Sequence, residues 1–440
     1  MLEDCRGLTL TAADGDAVRA YDHTVQGYLG LAVDTGERLK AVFGQDARMP
    51  MAHVLKGYFF MLMASKPLQA KAREIKAGIA DALADASPRE QAHADAMDAW
   101  AHGRTEDALR HWEAILAEHP LDVVALRLAH HGYFYRGDSQ NLRDGVARAL
   151  YAWDDSVPGY GYVMGMRAFG LEETHAYDTA VEAGEAALAI NPNDPWAIHA
   201  VAHVHEMTDQ PAEGIDWITR HEDGWTGANN FRYHIWWHRA LMRLDRGEYD
   251  EALALYDDSL WDADSDEYLD LCNDAALLLR LELHGVDVGD RWRALADKCT
   301  GRTGDHILAF IDAHFALALA ADGRPEADAL LASLRAYGGD DANGDNARVS
   351  REVGVPAAAA LVAYKTGDMD RVCELLAPIR YRLPEMGGSH AQRDLWSMVL
   401  LDAAIRAGRE DLSPALAAER LCRMPQNAWT HAAYERVFAN

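Results

Sequence analysis

Apolar residues along this chain return at three- and four-residue intervals almost throughout, and stretches of strict alternation bounded by hairpin turns are missing. The pattern predicts helices from one end to the other. Segments such as GDHILAFIDAHFALALAADGRPEADALLASL and AALVAYKTGDMDRVCELLAPI read as helix, Gly-containing turn, helix. No Pro/Gly/Ser linker divides the chain, and YGGDDANGDN at 337 to 346 is the expected flexible loop. The expected class is therefore all-α.

Helix pairs in a chain of this length invite a search for internal repeats. HGRTEDALRHWEAILAEHP, LEETHAYDTAVEAGEAALAINP and DRGEYDEALALYDDSL share one template: a turn, an Ala, and a helix ending in an apolar pair. The shared alanines Ala108, Ala180 and Ala252 stand 72 residues apart (180 − 108 and 252 − 180), so two repeats of about 36 residues fit each interval. The set resembles the tetratricopeptide repeat. Gly103, Ala108, Trp112, Leu116 and Pro120 match it in one unit. Tyr177, Ala180, Ala187, Leu188 and Pro192 match in a second, and Gly247, Tyr249, Ala252, Tyr256 and Leu260 in a third. A small Ala lets two helix backbones approach, and the aromatic fills the space behind it.

The expected layout is a divergent amino-terminal helical cap (1–88), clear tetratricopeptide-like repeats (89–265) and divergent helical repeats closing the same solenoid (266–440). LAHHGYFYRGD, GYVMGMRAFGLEET, NPNDPWAIHAVAHVHEM, GEYDEALALYDD, GDHILAFIDAHF and SHAQRD stand in an order similar to the tetratricopeptide repeat protein 38 family over most of the chain. That resemblance implies an α-solenoid wound as a right-handed superhelix, and no particular reaction. His390 stands where the family carries an amide, so the resemblance does not make it an obligatory ligand.

In tetratricopeptide pairs the first helix lines the concave groove, and its second, fifth, ninth and twelfth positions face inward. Anchored on Pro192, these positions are Trp196, His199, His203 and Glu206, while His205 falls off the stripe. The i, i+4, i+7 spacing independently puts His199, His203 and Glu206 on one face. Neighbouring units offer Arg127 and His131, Tyr162 and Glu172, then His234, Trp237 and His238. Asp312, His314, Arg393 and Asp394 approach from the other side if the superhelix curls back.

Each signal has a plainer interpretation. Twenty histidines in 440 residues give about one His-xxx-His pair by chance, and the chain has two, so spacing alone is weak evidence for metal. Trp112, Trp236 and Tyr256 occupy packing positions and are expected in the core. His130 beside His131 divides packing from groove duty, and the exposed acids make a solvated face. What favours a site is that the inward stripes were set by repeat anchors and not chosen for their chemistry.

Three functions fit such a groove. The first is binding of a small polar ligand or a peptide, with a His/Trp/Glu lining suited to cationic or aromatic groups. The second is a hydrolase. In it, His199 and His203 with a third imidazole from His234, His238 or His131 hold a divalent metal such as zinc with Glu206 as base, or His203 and Glu206 act alone as a general acid–base pair. The third is a purely structural scaffold assembling through its convex face and terminal helices, self-assembly into a homo-oligomer included. No nucleophile elbow, phosphate loop or dinucleotide fingerprint is present.

Composition narrows the partners. With 70 acidic against 42 basic residues the net charge is −28, which repels nucleic acid and anionic membrane surfaces. Five scattered cysteines without CxxC spacing suit a reducing cytoplasm, and the apolar runs GYFFMLMA and AAAALVAY are too short to span a bilayer. The expected localisation is cytoplasmic.

Overall fold

The computed structural model describes residues 1–438. Apart from β1 (Leu2–Glu3), which pairs antiparallel with β2 (Thr9–Leu10), the described elements are helices. The chain forms two compact units, Met1–Val201 with His221–Arg232, and Ala202–Arg220 with Tyr233–Asn440. Unit 1 holds α1 (Gly15–Leu29), α2 (Thr35–Gln45), α3 (Pro50–Leu62), α4 (Lys66–Gly78), α5 (Ala80–Ala84) and α6 (Pro88–Ala101). It continues with α7 (Thr105–Glu118), α8 (Val123–Tyr135), α9 (Ser139–Ala149), α10 (Tyr160–Glu172) and α11 (Tyr177–Ile190). The helix α12 (Pro195–Met207) runs from unit 1 into unit 2.

Unit 2 continues with α13 (Pro211–Arg220), α14 (Phe231–Asp245, whose first two residues belong to unit 1), α15 (Tyr249–Leu255), α16 (Tyr268–Leu283), α17 (Arg291–Cys299), α18 (Ala309–Ala321) and α19 (Glu326–Gly338). It ends with α20 (Asp345–Val349), α21 (Val355–Thr366), α22 (Met369–Leu376), α23 (His390–Arg406), α24 (Ser413–Arg423) and α25 (Ala428–Phe438). No helix among the described residues is long and apolar enough to cross a membrane.

The repeat is written in the backbone. Gly103, Gly137, His175, Asp209, Gly247, Gly285 and Gly323 all have positive φ, at intervals of 34 or 38 residues. After each, the next N–H reaches back five residues: Arg104 to Ala99, Asp138 to Tyr133, Ala176 to Leu171, Gln210 to His205, Glu248 to Arg243, Val286 to Leu281 and Arg324 to Leu319, at 2.8–2.9 Å. This is the Schellman closure, in which a left-handed residue caps one helix and turns the chain directly into its partner. Consecutive helices therefore pack as hairpins, α6 on α7, α8 on α9, α10 on α11, α18 on α19 and α21 on α22. The fold is an all-α solenoid of tetratricopeptide-like helix pairs.

The template residues do the packing expected of them. Ala108, Ala180 and Ala252 are fully buried, and Trp112 and Tyr256 lie in the core. The Trp112 indole N–H donates to the Tyr58 hydroxyl at 3.0 Å while its ring meets Trp100 edge-on; truncating such a side chain to Ala costs about 3–5 kcal/mol. Trp236, expected in the core, is half-buried under the Arg239 guanidinium, and its neighbour Trp237 is the buried one. Successive helix residues stand about 100° apart, which turns Trp237 to the buried side with His238 and leaves Trp236 at its edge. The 337–346 loop is not loose: Tyr337 and Asn343 bond each other through backbone and side chain, and Arg351 holds the Gly338 carbonyl at 2.6 Å.

Two polar networks organise the units. In unit 1 the buried Asp122 carboxylate accepts from Arg89 (2.5 Å), His93 (3.0 Å) and the Ala125 N–H (2.9 Å), capping α8 and tying it to α6. In unit 2 the end of the chain returns to its beginning. Asp209 accepts from the Gln426 N–H at 2.5 Å, Asp245 from the Asn427 amide at 2.7 Å, and the Leu283 carbonyl from Trp429 at 3.1 Å.

Candidate functional site

The expected site residues fall into two groups, one in each unit. α12 carries the polar face that spacing foresaw: His199, His203 and Glu206 are all buried, while His205 turns aside to Gln210 and Trp217. Buried imidazoles and carboxylates on an apolar helix are costly unless something answers them.

In unit 2 the answer to Glu206 comes from α14. His238 Nδ1 lies 2.6 Å from Glu206 Oε2, and its Nε2 lies 3.2 Å from Nε2 of His234. His234 Nδ1 in turn meets Asn273 Oδ1 on α16 at 3.0 Å. The His203 ring stands edge-on to His238 with centroids 4.3 Å apart, and ring nitrogens of His203, His234 and His238 lie within 4.8 Å of one another. Trp237 stacks on His234 and supports the Arg280 guanidinium at 5.3 Å.

Burial dominates the electrostatics here. It pushes His234 and His238 down to about 3 and His203 well below its ordinary value, with neighbouring imidazoles adding to the effect on His203 and His234. Burial raises Glu206 to about 8, against the pull of Arg280 and with the help of Asp394. Three neutral imidazoles result, which is the form that binds a metal ion. Two hydrogen-bond arrangements fit this geometry. A neutral Glu206 donates to His238, which donates to His234. Alternatively, an ionised Glu206 accepts from His238 Nδ1–H and Asn273 accepts from His234 Nδ1–H, so both Nε2 lone pairs face one point.

Arg280, His390, Arg393 and Asp394 bear electrostatically on this centre, whereas the expected residues His314 and Asp312 are engaged with other partners. Arg280 is held by the Ala391 carbonyl at 2.7 Å. Arg393 and His390, on the first turn of α23, meet each other at 3.2 Å and bear electrostatically on His203. Asp394 is paired two-pronged with Arg420 at 2.5 and 2.9 Å. His314 binds the Phe310 carbonyl through Nδ1 and packs against Trp396. Asp312 is engaged elsewhere, where it accepts from His306 at 3.0 Å, and His306 reaches Ser333 at 2.8 Å, stapling the start of α18 to the interior of α19.

In unit 1 the Arg127 guanidinium lies 4.1 Å over the Trp196 ring. Around that indole stand His130, His131, Phe169, His199 and Phe231, with centroids 4.9–5.9 Å away. Tyr162 is half-buried, and Glu172 is fully buried near the end of α10. Two partners here carried no spacing signal. Asp194, wholly buried, caps α12 by accepting from the Trp196 N–H at 3.0 Å, and Tyr28 arrives from α1. Only the run Asn-Asp-Pro before α12, an N-cap pattern, pointed to Asp194.

No family model matches the chain. Solved structures to which the chain shows similarity include yeast Tom70, at 11% identity over 95% of both chains with a TM-score of 0.35. Another is Naa15/Naa10 bound to HypK-THB, at 12% identity over 96% of this chain and 61% of that one, with a TM-score of 0.24. At such scores neither likeness bears on the site, and the fold stands on its own helix pairs.

Proposed function

We propose that this tetratricopeptide-like protein, with the tetratricopeptide repeat protein 38 family as its expected kin, is a metal-assisted hydrolase of a small polar molecule, centred on His203, His234 and His238 in unit 2. The observation that carries this is the 3.2 Å separation of the His234 and His238 Nε2 atoms, with each Nδ1 beside an oxygen. At metal–nitrogen bonds of about 2.0–2.1 Å, the edge of a tetrahedral site is about 3.3–3.4 Å, so two ligand atoms already stand near their bound separation. His203 supplies the third nitrogen from the facing helix.

Three imidazoles leave a fourth position for water, whose pKa a zinc-type ion lowers to about 7. Glu206 orients His238 through its 2.6 Å hydrogen bond, a carboxylate–histidine pairing that fixes ring tautomer and raises ligand basicity. That engagement suits a positioning residue better than the free base expected from sequence. Arg280, Arg393 and His390 bring polar groups that suit an oxygen-rich substrate. With His203 and His238 fully buried, the centre suits a small molecule and not an extended peptide.

The test is elemental analysis of untagged protein purified without chelator, beside His238→Ala and the off-face control His205→Ala. One equivalent of zinc, manganese or iron is expected in the wild type and His205→Ala and lost in His238→Ala. Wild-type protein that neither retains nor takes up any of these ions would refute the metal centre. Turnover of ester, amide and phosphoester panels, abolished by chelation, then identifies the bond cleaved.

A further inference from the structure

Arg127 in unit 1 has a different problem from Arg89. Both are buried, but Arg89 is answered by Asp122 at 2.5 Å, whereas Nε and Nη2 of Arg127 are buried with no hydrogen-bond partner. The acid nearest in sense is Asp194, within electrostatic reach but not in an ion pair, and its Oδ2 is likewise buried and unpartnered. Two more orphaned donors converge on Arg127: the Tyr28 hydroxyl, from α1, and the indole N–H of Trp196, the ring on which the guanidinium rests.

The backbone makes room for these groups. A Cβ at Gly165 would stand 2.6 Å from Asp194 Oδ2, and one at Gly30 would stand 2.9 Å from the Tyr162 hydroxyl. Ordinary residues there would displace the polar atoms they now admit. Beside them, Trp196, Phe169 and Phe231 form an apolar wall.

We propose that unit 1 carries a separate ligand site in which the Arg127 guanidinium and the Asp194 carboxylate hold the two charged ends of a small zwitterion of the α-amino acid class. A guanidinium recognises a carboxylate through parallel N–H donors. A carboxylate that accepts only backbone N–H groups on one oxygen keeps the other for an ammonium. Cation and anion that are buried together yet unpaired are matched by a ligand carrying both complements, and the aromatic wall takes its side chain. A simple anion would leave Asp194 unanswered, and a simple amine would leave Arg127 unanswered. Burial alone pushes Asp194 up to about 7, so an arriving ammonium also restores the charged form of that carboxylate.

The probes are L-alanine, L-leucine and L-phenylalanine, with 3-phenylpropanoate and phenethylamine as analogues of the last lacking one charged end. Binding is measured by calorimetry on the full chain, and again on His238→Ala, where it persists because the site owes nothing to the unit 2 centre. At least one amino acid binds, about tenfold or more tighter than its one-ended analogue where one was tested. Tyr28→Phe and Asp194→Asn weaken that binding by about tenfold, without lowering the melting temperature of the ligand-free protein, because neither atom removed has a partner to lose. Arg127→Met abolishes binding and raises the ligand-free melting temperature, the outcome for an uncompensated buried charge. No binding by any of the three amino acids, or binding that survives both Arg127→Met and Asp194→Asn, overturns the proposal. So does a large loss of stability in Tyr28→Phe, which would mean the hydroxyl serves the fold.

Discussion

Asp122→Asn separates a satisfied buried charge from an unsatisfied one. The Asp122 carboxylate answers three donors: Arg89, His93 and the Ala125 N–H at the start of α8. Asparagine keeps the size and one accepting oxygen, so the cap on α8 survives and packing is conserved. What is lost is the negative charge facing Arg89, whose side chain is buried and whose other nitrogen is committed to the Thr9 carbonyl at 2.9 Å. Removing one partner of a buried pair costs about 3–5 kcal/mol, because the survivor stays desolvated. The retained cap places Asp122→Asn at about 3 kcal/mol. For a unit of this size, 1 kcal/mol moves the melting temperature by about 2–4 °C, so the unit 1 transition falls by about 6–12 °C. Scanning calorimetry on the full chain reads this directly. The double variant Arg89→Met, Asp122→Asn recovers most of the loss, because the orphaned cation has gone with its partner. A single variant melting within about 2 °C of wild type, or a double variant no better than the single, would refute the view that charge compensation holds α6 to α8.

Other outcomes follow from the same structure. Despite burial, His93 and Arg89 hold Asp122 well below the usual carboxylate range, so its stabilisation is present above the unfolded value and fades as pH falls; Asp122→Asn flattens that acid limb of the melting curve. Asp194 behaves oppositely: burial raises it to about 7 against the pull of Arg127, so stability drops as pH rises from about 4 to about 7, and the drop vanishes in Asp194→Asn. His175 occupies the left-handed turn position (φ 63°) that glycine holds at 103, 137, 247, 285 and 323, so His175→Gly raises stability by about 0.5–1 kcal/mol in urea unfolding, and a loss would mean its hydrogen bond to Tyr177 outweighs the strain. Glu206→Gln, which keeps the shape but not the charge beside His238, weakens zinc affinity about 10–100-fold in competition with a chromogenic chelator; unchanged affinity would detach Glu206 from the proposed centre.

Much of the architecture was legible because it is local. Helical periodicity, the alanines 72 residues apart and the glycines opening each turn are consequences of backbone geometry within one repeat. Even so, the left-handed positions at His175 and Asp209 were invisible, since neither residue advertises positive φ. The polar face of α12 was legible for the same local reason: residues at i, i+4 and i+7 share a face whatever surrounds the helix.

Long-range partnership had no such signal. Nothing in the spacing of His234 and His238 assigned Nδ1 of one to Asn273 and of the other to Glu206. Asp209 meets the Gln426 N–H across 217 residues, and Arg280 meets Ala391 across 111, only because unit 2 brings its last helices back to its first. Tyr28, on α1, and Asp194, at the cap of α12, joined Arg127 in the same way, with no spacing that paired them with it. Sequence alone determined the helices, their pairing and which face of α12 is polar, because these depend on chain bonds and a period of 3.6. The tertiary structure alone decided which buried charges are answered and which are left facing one another, because that depends on the stacking of repeats distant in sequence.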